Sequence, residues 1–479
     1  MSASTTGRRR LAGMAALVTV AAVLLAAASP AAAATGTPPT SMTPQLHDAI
    51  EARIADFQAQ VGAPGIAVAV VMPGADGAGP EVTRFVTGTP TVGSGLSVEP
   101  TTQFEIGSET KVFTTDLLAS LLAEGRVSLD DPVQKYAPAG TTVPVWTDSD
   151  TGEVTQITLR DLATHQAGLP DSAFNYWTPC EGQPDGCNPQ PDYTRELLWK
   201  GLAGTQLLWQ PGTNWLYSNF GFGLLGTILA DLVQPPTGSE RPAYEAVIKD
   251  TFVDALGMTS TTLGTGPRIA TPYGSDGSVS YYWDDTNALA GEGGLVSDLE
   301  DMTTWTEAHL GYLPADAPQA VQTMKDTLQP QSTITTTCSD DDPTSCAAVP
   351  AFQMGLAWQL YSAGTNGIDT PWAYKNGGTA GFSTDTTLAP ERGLGVTTMW
   401  NIQRATGSDP ELGIELLKLI MQHEDRPVPA ENPGGDHHKP ALAETGSGDI
   451  ALPTLLGLSL LVAGAVLVLR RTGRVSSRG

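Results

Sequence analysis

Ser108-Glu109-Thr110-Lys111, Tyr217-Ser218-Asn219 and Lys375-Asn376-Gly377 follow one another along a chain of 479 residues. Each group brings a different part of acyl-transfer chemistry. Ser-x-x-Lys sets a hydroxyl nucleophile and an amine base one helical turn apart. Tyr-x-Asn adds a phenol that can carry a proton and an amide that can hold a substrate. Lys-x-Gly adds a cation for a substrate carboxylate, and a glycine where two backbones must come close. Any one of them alone reads as ordinary: a solvated lysine in a first helical turn, a core tyrosine, a glycine-rich loop. Their order gives them weight. Lysine is also scarce, eight in the whole chain, and two of the eight fall in these motifs.

The elements that must position these groups can be read from spacing. Gly107 precedes Ser108, and Val112, Phe113, Leu117, Leu118, Leu121 and Leu122 follow at helical intervals until Gly125. Ser108 is therefore expected at a helix N-terminus, where free N–H groups favour developing negative charge, with Lys111 on the same face. Tyr217 follows the turn Trp209-Gln210-Pro211-Gly212, and Lys375-Asn376-Gly377 is expected in a glycine-rich stretch opening a strand at Thr379. Pro44 to Gln60 reads as a helix facing inward through Leu46, Ile50, Ile54 and Phe57. Gly65–Met72 and Glu81–Thr87 read as a hairpin, Thr379–Leu388 and Leu394–Trp400 as another around Pro390–Gly393, and Pro410–His423 as a last helix. Strands at both ends with helices between predict an α+β fold: an antiparallel sheet formed by N- and C-terminal segments, flanked by helices, with a mostly helical insert.

With these motifs the chain resembles the penicillin-recognising serine hydrolases, which comprise D-Ala-D-Ala carboxypeptidases, class C β-lactamases and related esterases. The likeness spans most of residues 45–420. It extends to Phe104-Glu105-Ile106-Gly107, Leu129-Asp130-Asp131-Pro132, Leu162–Leu169, Leu256-Gly257-Met258, Gly293–Ser297 and Gly378–Phe382. The resemblance implies that Ser108 becomes acylated while Lys111 and Tyr217 share the proton work. It gives Asn219 a contact with Lys111 and with the substrate amide, and Lys375 the substrate carboxylate. Asn376 and Gly377 complete the substrate-binding motif, and the N–H groups of Ser108 and Gly378 form the oxyanion hole. His165 belongs to a structural turn in this likeness. Asn376 departs from the Thr often found there. The chemistry needs no metal and no other cofactor.

Cys180, Cys187, Cys338 and Cys346 fall into two close pairs in polar, loop-like stretches. In an exported chain they read as two local disulfides, Cys180–Cys187 and Cys338–Cys346. No Cys-x-x-Cys occurs, and His437 and His438 are remote in sequence, which argues against zinc. Both Cys-bearing stretches look like insertions relative to the family.

The two ends address the protein. Arg8-Arg9-Arg10, an apolar run to Ala28 and small residues to Ala34 make residues 1–34 a signal peptide. The serine hydrolase region is expected over 40–425, and a Pro-, Gly- and His-bearing flexible linker over 426–441. Residues 442–479 resemble a sortase sorting signal: Leu442-Ala443-Glu444-Thr445-Gly446, an apolar span at 450–469 and four arginines beyond it. Cleavage is expected between Thr445 and Gly446. The formal net charge is −26, and loss of both ends leaves a value near −32; such a surface repels nucleic acid. The resulting expectation is a secreted, cell-wall-anchored monomer of Gram-positive type, processed by signal peptidase and sortase. Its substrate is a peptidoglycan stem peptide or a β-lactam. A D-alanyl-D-alanine carboxypeptidase leads. A class C-like β-lactamase, an esterase or D-amino-acid amidase, and an inactive wall-surface binding protein stand behind it.

Overall fold

The computed structural model describes residues 41–74, 79–184, 187–235, 244–339, 345–403 and 411–423. The signal peptide, the linker, Thr445, Gly446 and the apolar span lie outside the described residues. No helix among the described residues is long and apolar enough to cross a membrane.

The chain enters through helix α1 (Pro44–Val61). Thr43 caps it by accepting a hydrogen bond from the Leu46 N–H at 3.2 Å, Pro44 takes a position that needs no N–H, and Gly62 ends it at φ +70°. Leu46, Ile50, Ile54 and Phe57 are its buried face, as their spacing requires. Strands β1 (Gly65–Pro73) and β2 (Pro80–Gly88) then form the expected hairpin. Helix α2 (Thr110–Ala123) is the central buried helix, and helix α3 (Asn219–Val233), the short helix α4 (Ala290–Gly293) and helix α5 (Leu299–His309) follow it in the chain.

The C-terminal part supplies six strands: β3 (Ser332–Cys338), β4 (Cys346–Met354), β5 (Gln359–Tyr361), β6 (Trp372–Gly378), β7 (Ser383–Ala389) and β8 (Leu394–Trp400). Helix α6 (Leu412–Gln422) closes the fold. The sheet runs β2-β1-β8-β7-β6-β5-β4-β3, antiparallel throughout. The N-terminal hairpin thus pairs with the last strand, as the α+β reading requires.

β1 is buried on both faces. Ile66, Val68, Val70 and Met72 pack with α1 and α6, while Ala67 and Ala69 join the larger core of α2, α3 and α5. This is the two-residue period of a strand lying between two helical layers.

Two expectations are corrected. Lys375-Asn376-Gly377 does not lie in a loop ahead of a strand starting at Thr379; it occupies a strand of its own, β6, and Thr379–Phe382 is the turn into β7. Cys338 and Cys346 end two paired strands rather than sitting in a loop, and the Cys338 N–H also donates to the Trp215 carbonyl at 2.9 Å. Both disulfides, Cys180–Cys187 and Cys338–Cys346, are present.

Candidate active site

Ser108 lies in a single 3₁₀ turn, Gly107–Glu109, that runs directly into α2. The nucleophile thus sits at the very start of the helical run, where backbone N–H groups are least satisfied within the helix. Gly107 has φ +50°, and a Cβ there would lie 2.6 Å from the Gly378 nitrogen. At Gly377 a Cβ would lie 1.9 Å from the Ile106 carbonyl oxygen. Glycine at both positions is what lets the end of β6 press against the Ser108 turn.

Ser108 is partly exposed, while Lys111 is fully buried. The Lys111 ammonium donates to the Ser108 Oγ at 3.1 Å, to the Asn219 Oδ1 at 2.7 Å, to the Glu292 carbonyl at 2.6 Å and to the Glu292 Oε2 at 3.0 Å. Burial alone would lower its pKa, but the Tyr217 oxygen and the Glu292 carboxylate hold it above the ordinary lysine value. Burial raises the Tyr217 phenol, and its interactions with Lys111 and the Ser108 hydroxyl offset only part of that rise.

The Tyr217-Ser218-Asn219 segment is fixed by its middle residue. Ser218 caps α3 by accepting from the Gly221 N–H at 2.9 Å, and its hydroxyl donates to the Pro170 carbonyl at 2.7 Å. Its own N–H donates to the His165 Nδ1 at 3.0 Å. His165 has φ +58° and stacks on the Tyr217 ring with centroids 4.3 Å apart. Burial, then the Lys111 and Lys375 charges, drive its pKa well down, so the ring is neutral. The ring packs against Tyr217 and accepts from the Ser218 backbone.

Lys375 is 4% exposed, with its ammonium 5.6 Å from the Tyr217 ring centre. Burial and the Lys111 charge push it down to about 7. Asn376 and Gly377 pair across β6–β7 with Asp385 and Thr384. Glu109, between the nucleophile and the helix, is fully buried; burial and then Asp385 raise its carboxyl well above the usual range.

A cavity of about 470 Å³ adjoins the motifs. Asn219, Glu292, Gly378 and Thr379 line one side; Tyr176, Trp177, Cys187 and Asn188 line another. The Cys180–Cys187 stretch therefore forms part of the cavity wall. Cys338–Cys346 lies outside the lining and instead lengthens the sheet.

All three motifs thus converge: Lys111 touches Ser108 and Asn219, Tyr217 lies between the two lysines, and Gly378 abuts Gly107. Glu292 was not singled out from sequence. An acid set between glycines in Gly291-Glu292-Gly293-Gly294 reads as a turn, and the one signal that could have found it is a charged residue inside a small-residue run.

Residues 50–419 match the Beta-lactamase family. The D-alanyl-D-alanine-carboxypeptidase/endopeptidase AmpH of Escherichia coli (strain K12) is 31% identical over 299 residues, which cover 60% of this chain and 68% of that protein. A beta-lactamase of the same strain is 25% identical over 384 residues, covering 74% of this chain and 89% of the other. Among solved structures, a beta-lactamase/D-alanine carboxypeptidase from Yersinia pestis complexed with citrate superposes with a TM-score of 0.58. It has 22% identity and covers 78% of this chain and 98% of its own. A class C beta lactamase from Rhodobacter sphaeroides also gives 0.58, at 24% identity over 78% of this chain and 99% of its own. These two likenesses establish the fold, and with the sequence matches they lead to one assignment: the chain belongs to the Beta-lactamase family and is a serine hydrolase.

Proposed function

We propose that this protein is a D-alanyl-D-alanine carboxypeptidase working through an acyl-enzyme on Ser108. The observation that carries this is the 3.1 Å contact between the Ser108 Oγ and the fully buried Lys111 Nζ. The greater identity to the carboxypeptidase/endopeptidase than to the beta-lactamase supports the peptidase reading.

In the reaction, the Ser108 Oγ attacks the penultimate D-Ala carbonyl carbon. Its proton passes into the Lys111–Tyr217 pair and from there to the amine of the departing D-Ala. The oxyanion takes the N–H groups of Ser108 and Gly378. Asn219 uses its Oδ1 on Lys111, which leaves its NH₂ for a substrate carbonyl. Lys375 takes the terminal carboxylate of the stem peptide with the Asn376 amide as a second donor, and Gly377 lets β6 lie against the Ser108 turn. Water then hydrolyses the acyl-enzyme.

The enzyme is exported, the sorting signal at 442–479 is cleaved between Thr445 and Gly446, and the mature chain is held on the wall through Thr445; two disulfides suit an oxidising exterior. Fractionation of cells carrying Thr445→Ala tests the anchor: release of wall-bound protein is expected, and unchanged wall attachment overturns it.

The test of function is an intact-mass time course with benzylpenicillin beside a D-alanyl-D-alanine peptide assay, on wild type and Ser108→Ala. A lasting adduct on Ser108 with release of D-Ala is expected, both lost in Ser108→Ala. Rapid drug loss without D-Ala release assigns a β-lactamase instead. Unchanged turnover in Ser108→Ala overturns the mechanism.

A further inference from the structure

Glu292 has no place in the reaction described above, yet it is the one carboxylate that touches Lys111 among the described residues. Their ion pair measures 3.0 Å, with side-chain exposures of 0% and 3%. A buried pair of this kind is not left to chance by the backbone. Gly226 of α3 and Gly291 of α4 meet face to face: a Cβ on Gly226 would lie 2.9 Å from the Gly291 Cα. The carbonyl of Gly291 accepts from the Thr114 Oγ1 at 2.7 Å, and the Leu295 N–H donates to the Thr110 Oγ1 at 3.1 Å. Helix α2, which carries Lys111, thus grips the Glu292 segment on both sides.

Resting on the Ser108 acyl-transfer reading, we propose that Glu292 is a positioning residue of the reaction. It holds Lys111 against Ser108 and keeps the activating proton on the Ser108–Lys111–Tyr217 cluster until a higher pH than the cluster alone would require.

Glu292 plays the same part whichever member accepts the serine proton. As the bond from the Ser108 Oγ to the carbonyl carbon forms, the Oγ–H proton moves to the Lys111 Nζ or the Tyr217 Oη, and the leaving group later departs with it. Either acceptor must first have released a proton to solvent. A carboxylate 3.0 Å from Lys111 favours the protonated form of both. The other charged or titratable groups around the cluster are Lys375 on β6, neutral His165 behind Tyr217, and Asp285 in the loop before α4, with Tyr176 and Asp171 across the cavity. Lys375 favours proton release. Asp285 is 1% exposed, and burial followed by Glu292 raises its carboxyl well above the usual range.

The test follows the rate of Ser108 phosphonylation by a fluorophosphonate against pH, read by intact mass, in wild type, Glu292→Asp and Glu292→Gln. This probe reports ionisation of the nucleophile whatever the natural substrate is. Glutamine keeps an oxygen for Lys111 and removes the charge. The acid limb of Glu292→Gln is expected to move to lower pH by roughly one to three units, with Glu292→Asp between it and wild type. A purely structural role lowers the rate at every pH and leaves the limb where it was, so an unmoved limb in folded Glu292→Gln overturns the proposal. Should that variant not fold, a Glu292→Asp limb identical to wild type overturns it equally. Failure of wild-type Ser108 to label at any pH is a separate result: it removes the acyl-transfer reading itself, and the role of Glu292 with it.

Discussion

Gly377→Ala should slow acylation about 100-fold without unfolding the protein, because one methyl forces the end of β6 away from Ser108. The new Cβ would sit 1.9 Å from the Ile106 carbonyl oxygen and 2.6 Å from the Thr384 Oγ1. The Thr384 hydroxyl already donates to that same Ile106 carbonyl at 3.1 Å, so it has no free direction in which to retreat. Real Cβ contacts essentially never fall below 3.0 Å, so backbone must separate by about 1.1 Å. Ile106 is two residues before the nucleophile, and Gly378, the other proposed oxyanion donor, is the next residue on β6. The displacement therefore opens the oxyanion hole directly. A misplacement of about 1 Å is worth about 10² in rate, or ~2.7 kcal/mol of barrier. The strain should also remove about 1–3 kcal/mol of stability, as overpacking generally does. The assay is stopped-flow acylation by a chromogenic cephalosporin, with Tm from differential scanning calorimetry. Gly378→Ala is the internal comparison: its Cβ meets no heavy atom within 4 Å and its N–H is retained, so it should stay well above Gly377→Ala. A folded Gly377→Ala acylating within about threefold of wild type would refute the close-approach argument.

Lys375→Ala should lower kcat/KM for carboxylate-bearing peptides about 30-fold, the worth of a charged hydrogen bond of ~2 kcal/mol, while neutral esters lose far less; equal losses would remove its assignment. With its pKa depressed to about 7, Lys375 is cationic below that pH and neutral above it. kcat/KM for carboxylate substrates should therefore fall as pH rises through 7, a limb absent for neutral esters, and steady-state pH profiles with both substrate types check this. Replacing Cys338 and Cys346 together by serine should cost about 2.5 kcal/mol in urea unfolding, from a cross-link spanning eight residues, and leave acylation unchanged; a large loss of acylation would mean that the hairpin reaches the site.

Ser108 and Lys111 were legible because local rules govern them: a glycine, a small turn and a helical apolar period all agree at one place. The terminal hairpins and α1 were legible for the same reason, since Leu46, Ile50, Ile54 and Phe57 allow no other face. β6 was not. Trp372–Gly378 ends in two glycines that lower its strand propensity, and its neighbours are β5, β7 and the Ser108 turn, the last of which no local window contains. β3 and β4 were hidden by their exposure and by breaks in alternation: β3 is a polar run of Ser and Thr, and β4 is mostly exposed with Pro350 inside it, so they read as loop until their pairing partners are known. Glu292 is the clearest case. Its importance arises from a contact 181 residues away in sequence, and its flanking glycines signal a turn rather than the close approach of two helices.

That glycine contact also constrains how the protein can be improved. Exchanging helix-interior glycines for alanine is a standard route to thermostability, worth up to about 1 kcal/mol at each compatible site. At Gly223 and Gly226 of α3 the route is closed. A methyl at Gly223 would strike the Leu289 side chain at 2.5 Å, and one at Gly226 would lie 2.9 Å from the Gly291 backbone. Any helicity gained would be taken from the packing that delivers Glu292 to Lys111. A more rigid α3 is therefore reached only by changing both helices together, so single-site drift at 226 or 291 meets a barrier that a paired change does not.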